Sequence, residues 1–166
     1  ADRDDALQRA GAELSAAHAK FRAAELAHAR QTLRTGVVAT KHGRRGKPHA
    51  RLVRCSDDLS RLEWVLPGAA TAEPEKALAL DEISGVVPGL QSAVARRSAA
   101  GKEPLVLCVL SKRRSLDLEF PTQAARDQWL ATWRFWLDGA RADAPAAKCI
   151  TVGVERADSG RVATGG

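Results

Sequence analysis

Hydrophobic and polar positions follow three different rhythms along this 166-residue chain. From Asp2 to about Arg34, Leu7, Leu14 and Phe21 recur at heptad spacing, Ala10, Ala17 and Ala24 fill the alternate seam, and no proline intervenes. Alanine is the best helix former, so the stretch predicts one long helix. Its seam is narrow and mostly alanine, a weak coiled-coil signal. It suits a solvated helix leading into a domain, or one that docks along another chain or a filament.

After Thr35-Gly36 the period drops to two. Val37–Lys41 and Ala50–Cys55 read as a hairpin, Ser56-Asp57-Asp58 as a break, and Arg61–Leu66 as a third strand. A Pro/Gly/Thr/Ala loop from Pro67 to Pro74 leads to Lys76–Leu80, and Asp81–Gly89 holds a turn and a short strand. Ser92–Glu103 is polar and reads as a loop, with a short strand at its start as an option. Pro104–Leu110 and Ser115–Phe120 form a second hairpin turning at Lys112-Arg113-Arg114. The third rhythm is helical again. Trp129, Leu130, Trp133, Trp136 and Leu137 recur at spacings of three and four, with Thr122 as the N-cap and Asp138-Gly139 as the stop. Those tryptophans are core for a small sheet, not a cofactor box. The chain therefore divides into a helix at 1–34, a mainly β domain at 35–138 and a flexible tail at 139–166. In that tail Ile150–Val154 is apolar enough to join a partner's sheet edge, though the sequence around it suits a floppy tail better.

Composition changes this picture in two ways. No methionine occurs, even at position one, which suggests a piece of something longer. The three cysteines, Cys55, Cys108 and Cys149, are widely spaced. An odd, sparse count argues against a disulfide scaffold and for a reducing, cytoplasmic compartment. No apolar run reaches the length of a membrane span, so any membrane contact is expected to be peripheral.

Charge is the sharper signal. The net formal charge is +6, and Lys41, Arg44, Arg45, Lys47, Arg51 and Arg54 cluster on the first hairpin without a carboxylate among them. Cationic donors on one hairpin tip suit phosphate. Other chemistries fit less well. Gly46-Lys47-Pro48 lacks the flanking residues of a P-loop. His18, His28, His42 and His49 form no ligand cluster with cysteine, which leaves no metal or cofactor to expect. Asp4-Asp5, Asp57-Asp58 and Asp81-Glu82 read as capping and turn acids, and no nucleophile-base pair stands out, so an enzyme is not expected. Tyrosine is absent and the other aromatics are committed to the core, which removes the stacking platform that nucleic acid would need.

Five ordered landmarks carry a resemblance to a known family. LRTGVVATKHGRRGKPHARLVRCSDD, Leu62-Glu63-Trp64, LDEISGVVPG, Ser115-Leu116-Asp117-Leu118 and Arg126-Asp127-Gln128-Trp129 together resemble a pleckstrin homology (PH) domain over roughly residues 33–138. The flavour is that of phospholipase C delta-type enzymes and of plant proteins joining PH, RCC1-like and FYVE modules. The resemblance implies an α+β, mainly β fold: a seven-stranded bent barrel or sandwich capped by a C-terminal helix, here with an extra N-terminal helix. It also implies inositol-phosphate recognition, with Lys41 matching the family's strand-one lysine and Arg51 the arginine of its strand-two triplet. His49 stands where the strongest binders keep a fixed charge, and a neutral imidazole is a poorer phosphate donor. Arg44, Arg45 and Lys47 add loop contacts, and Lys112, Arg113 and Arg114 a second rim.

Each basic side chain near an anionic leaflet is worth about 1 kcal/mol, so six give roughly 6 kcal/mol, an affinity of only about tens of micromolar. The leading expectation is a non-catalytic lipid-binding adaptor module at a membrane surface. Its rival is a scaffold module that uses the PH fold as a platform. There the hairpin meets an acidic partner such as tubulin or another cytoskeletal assembly, while the N-terminal helix docks on another helix.

Overall fold

The computed structural model describes residues 2–143. Helix α1 (Asp2–Thr35) opens on Asp2, Asp4 and Asp5 and ends on Arg34, so its charges complement its own dipole at both ends. Gly36 stops it: φ is +76°, and its N–H donates to the Thr32 carbonyl at 2.9 Å. The chain then enters β1 (Val37–His42), β2 (His49–Cys55), β3 (Arg61–Val65) and β4 (Ala77–Ala79). Next come β5 (Ile83–Pro88), a short helix α2 (Ala93–Ser98), β6 (Val106–Ser111), β7 (Ser115–Glu119) and a final helix α3 (Gln123–Asp143). All seven strands pair antiparallel in one sheet, in the order β4-β3-β2-β1-β7-β6-β5.

A single apolar cluster takes residues from every strand, among them Ala39, Val53, Leu62, Leu78, Val86, Leu107 and Leu118. One sheet can feed one core from all its strands only by curling around it. The alternation of period two decides which residues go in. Strand β6 is buried on both faces: Leu107 and Val109 join the main core, while Val106 and Cys108 meet Ala95 and Ala99 beneath α2. Cys55 and Cys108 are buried and unpaired. Burial pushes both thiols up to about 12, assisted by Glu63 and Asp117 respectively, so they behave as small hydrophobes.

Helix α3 closes the core with Trp129, Leu130, Trp133 and Leu137. Its N-cap is as expected, Thr122 Oγ1 accepting from the Ala125 N–H at 3.1 Å. Its end is not. The helix runs through Gly139 to Asp143, because Gly139 is a contact residue and not a stop. A Cβ there would overlap the side chain of Leu26, so the missing side chain lets α1 lie against α3. The helix thus continues past the expected stop at Asp138-Gly139, and Cys149 and Ile150–Val154 lie outside the described residues.

A second correction concerns Ser92–Glu103, read as a loop. Residues 93–98 are α2, capped by Ser92, whose Oγ accepts from the Ala95 N–H at 2.9 Å. Its apolar signal is only Ala95 and Ala99, too little to show a helical period.

The expected heptad seam is present but uncovered. Leu7, Leu14 and Phe21 are 65%, 73% and 61% exposed. Only the last turns of α1 are held by the body, through the half-buried Leu26 and the buried Ala29 and Leu33. Arg22 also lies over the Phe135 ring of α3, 5.9 Å from its centroid.

Candidate functional site

Strands β1 and β2 pair with Lys41 opposite His49 and Ala39 opposite Arg51. Residues two apart share a face, so Lys41, His49 and Arg51 all stand on the side where Ala39 is buried, beyond the end of the core. Trp64 on β3 is the floor. Lys41 Nζ lies 5.8 Å and Arg114 Cζ 4.8 Å from the centroid of its ring, so two cations meet one aromatic ring.

Two adjoining hollows meet at Lys41. The smaller, about 110 Å³, is lined by Arg45, Lys47, His49, Arg51, Trp64 and Lys76 as well as Lys41. The larger, about 410 Å³, runs along the other side of the hairpin past Arg44, Arg45, Arg114, Ser115 and Asp117. The expected residues are therefore divided. Lys41, Arg45, Lys47, His49 and Arg51 surround one hollow, and Arg44 faces the other.

Among the described residues, Lys41, Arg44, Arg45, Lys47, Arg51 and Arg114 form no ion pair. Arg51 and Arg114 donate to backbone carbonyls of Ala50 (2.8 Å) and Glu75 (3.2 Å). Arg114 Nε is buried with no hydrogen-bond partner. Burial holds the Lys41 ammonium below its ordinary value, and Arg114 and Arg51 push it further down. Asp117 opposes them. Burial and then Arg44 likewise lower Arg114. Cations crowd one another here; Lys76 is paired with Glu73 at 2.8 Å, and Asp117 stands on the wall of the larger hollow.

The hairpin base is braced by groups that sequence reasoning set aside. His42 points to the opposite face from Lys41 and is buried. Its Nδ1 meets Ser98 Oγ at 2.7 Å and its Nε2 meets Glu119 Oε2 at 2.8 Å. Burial pushes the Glu119 carboxyl up, but hydrogen bonds from Lys102 and His42 outweigh it and hold the group below its ordinary value. Beside it the buried Asp117 accepts from Ser115 Oγ at 2.7 Å and from Ser92 Oγ. These contacts tie the end of β1 to β7 and α2, and Arg97 of α2 donates to the Arg44 carbonyl at 3.0 Å, so the tip stands on a fixed base.

Trp64, Lys76 and Arg114 are the site residues that sequence reasoning missed or undervalued. Trp64 was visible only as strand core, and Lys76 lies 25 residues beyond Arg51. Arg114 was foreseen as part of a separate rim. Its neighbour Arg113 is directed instead at Glu82, at 3.9 Å. Among the described residues no group of three or more metal-ligating side chains occurs, and no helix is long and apolar enough to cross a membrane.

The strand order, the sheet wrapped on one core and the packed C-terminal helix have the arrangement of a pleckstrin homology fold. No family model matches the chain. Among solved structures, it is similar to the PH domain from TgAPH at 17% identity and a TM-score of 0.49, over 72% of this chain and 93% of that one. It is also similar to the PH domain of the human TBC1 domain family member 2 protein at 16% identity, TM-score 0.46, over 67% and 85% of the two chains. A third is S. officinalis PLC21, at 12% identity and TM-score 0.45, over 64% of this chain and 16% of that one.

Proposed function

We propose that this chain is a non-catalytic module that binds phosphorylated inositol headgroups, and through them an anionic membrane surface, with its first hairpin. One observation carries the reading: Lys41 and Arg114 lie over Trp64 with Arg51 beside them in the same hollow complex, and none of the three is in an ion pair with a carboxylate among the described residues. Clustered cations without counter-ions cost stability in the empty protein and are relieved by a polyanion. Lys41 and Arg51 supply the central donors, Arg45 and Lys47 close the rim, and His49 adds hydrogen bonding without a fixed charge. Peripheral attachment at a cytoplasmic membrane face follows from that chemistry.

The test is co-sedimentation with phosphoinositide vesicles and with phosphatidylserine vesicles of matched charge, at physiological salt. The wild-type chain should prefer the former, and Lys41→Ala with Arg51→Ala should bind about 30-fold more weakly, the loss of roughly 2 kcal/mol. Equal sedimentation of both proteins, or of neither, sinks the reading. Equal binding to both lipids would reduce it to nonspecific charge attraction.

The same crowding makes a prediction about stability. In the unfolded chain Lys41 regains its ordinary value, so its folded-state value is the lower of the two. The penalty is then fully present below the folded value and fades as pH rises through it. Lys41→Met keeps the stem over Trp64 and removes the charge. It should stabilise the protein at pH 7 by about 0.5–1 kcal/mol, small because a half-exposed charge is screened. The gain should shrink at alkaline pH and in high salt, as read by thermal melts, while vesicle binding falls. A destabilised Lys41→Met protein would contradict the crowding.

A second reading rests on a different observation, the uncovered Leu7, Leu14 and Phe21 seam. In it the PH fold is a platform, the hairpin meets an acidic protein surface, cytoskeletal or otherwise, and α1 docks on another helix. Loss of partner binding on deletion of residues 1–20, which spares the packed Leu26, Ala29 and Leu33, with vesicle binding unchanged, would favour it.

A further inference from the structure

We infer that α1 pairs with the α1 of a second copy of this chain, antiparallel, forming a two-fold dimer whose seam enters the groove between α1 and α3. The exposed seam alternates large and small: Leu7, Leu14 and Phe21 against Ala10, Ala17 and Ala24. Parallel, in-register helices would stack large on large and leave each alanine layer underfilled. Antiparallel helices can be set so that facing residue numbers sum to 31. Leu7 then meets the partner's Ala24, Leu14 the partner's Ala17, and Phe21 the partner's Ala10. Every bulky side chain faces an alanine, in both directions at once.

Charge selects the same arrangement. Residues 2–14 carry four carboxylates and two arginines, net −2, while residues 17–30 carry Lys20, Arg22 and Arg30 against Glu25, net +2. By net charge the antiparallel pairing lays each negative half on a positive one, whereas a parallel pairing lays halves of like net charge together and keeps only the contact of Lys20 with the partner's Glu25. Glu13 and the partner's Lys20 flank the central layers and repeat across the two-fold axis. Only Asp4 and the partner's Glu25 meet as like charges, at the outer end, where the partner's His28 and Arg30 follow.

The groove completes the fit. Between α1 and α3 lies an open hollow of about 470 Å³, with Phe21 and Phe135 among its walls and Ala24, Ala29 and Ala131 along its lining. In this register residues 3–10 of the partner run level with Phe21–His28, so the partner's Leu7 reaches the groove. Its alanines leave room for a helix edge whose one bulky apolar side chain is Leu7, while Glu25, His28, Gln128 and Thr132 on the rim face the polar residues beside it. The dimer does not depend on the lipid reading, since its seam and the basic hairpin are separate surfaces.

Sedimentation equilibrium over a concentration series should give a mass rising from 17.7 kDa toward twice that value. Leu14→Glu, at a site already exposed, should abolish the rise while leaving the circular dichroism spectrum unchanged. Direction is tested by cross-linking in a Cys149→Ser background. An equimolar mixture of Leu7→Cys and Ala24→Cys chains should close a mixed disulfide, and neither variant should cross-link alone. A monomer at all concentrations, a dimer that survives Leu14→Glu, or self-cross-linking of Leu7→Cys would each overturn the proposal.

Discussion

Trp133→Ala should destabilise the protein by about 3–5 kcal/mol, the cost of emptying a large buried aromatic site. Trp133 is 1% exposed and lies edge-on between Trp129, at 6.4 Å and 78°, and Trp136, at 6.1 Å and 90°. Its removal takes away both aromatic contacts and the residue that seats α3 against the sheet core. Neighbours on a helix and on paired strands cannot both collapse into the space. Against a total stability of about 5–15 kcal/mol, this is a large fraction. The expected fall in Tm is roughly 10–20 °C. Denaturant titration followed by the remaining tryptophan fluorescence would measure it. A loss below about 1 kcal/mol would mean that α3 is not the structural cap described here.

The second large effect is expected at Gly36, where α1 ends and β1 begins. The left-handed backbone at φ +76° costs a non-glycine residue about 1–2 kcal/mol. A Cβ there would also overlap the carbonyl oxygen of Val53 and the Cβ of Arg54 on β2. Backbone and a sheet-borne Cβ cannot swing aside as a side-chain tip can. Gly36→Ala should therefore cost about 2–4 kcal/mol, seen as a lower denaturation midpoint. Its effect on vesicle binding, measured where the variant remains folded, should be slight, because the basic hollows lie at the opposite end of β1. A neutral substitution would mean that the junction relaxes.

What the sequence made legible depended on how local its cause was. The two hairpins were readable because alternation and turn composition are properties of neighbouring residues; each strand of the first hairpin is one residue longer than expected. The tryptophan face of α3 was readable for the same reason. Gly139 was misread because its purpose is an approach by Leu26, more than a hundred positions earlier. Helix α2 was invisible because one cap and two buried alanines make no rhythm. The candidate site divides similarly. Lys41, His49 and Arg51 could be placed on one face from the hairpin register alone. Trp64, Lys76 and Arg114 join them only through the curl of the sheet, which no short window of sequence encodes.

Helix α1 adds a consequence of its own. At about 1.5 Å per residue, Leu7 stands roughly 28 Å along the axis from Leu26, which packs against α3 at Gly139. A flexible linker of that length would set only an average distance. A helix also sets a compass bearing, since each residue turns its direction by about 100°. Inserting one alanine between Phe21 and Leu26 would thus swing the Leu7–Leu14 edge a quarter-turn or more relative to the basic hairpin. Inserting seven would lengthen the arm and nearly restore its aim. Whatever grips this arm is told both how far away the hairpin stands and which way it points.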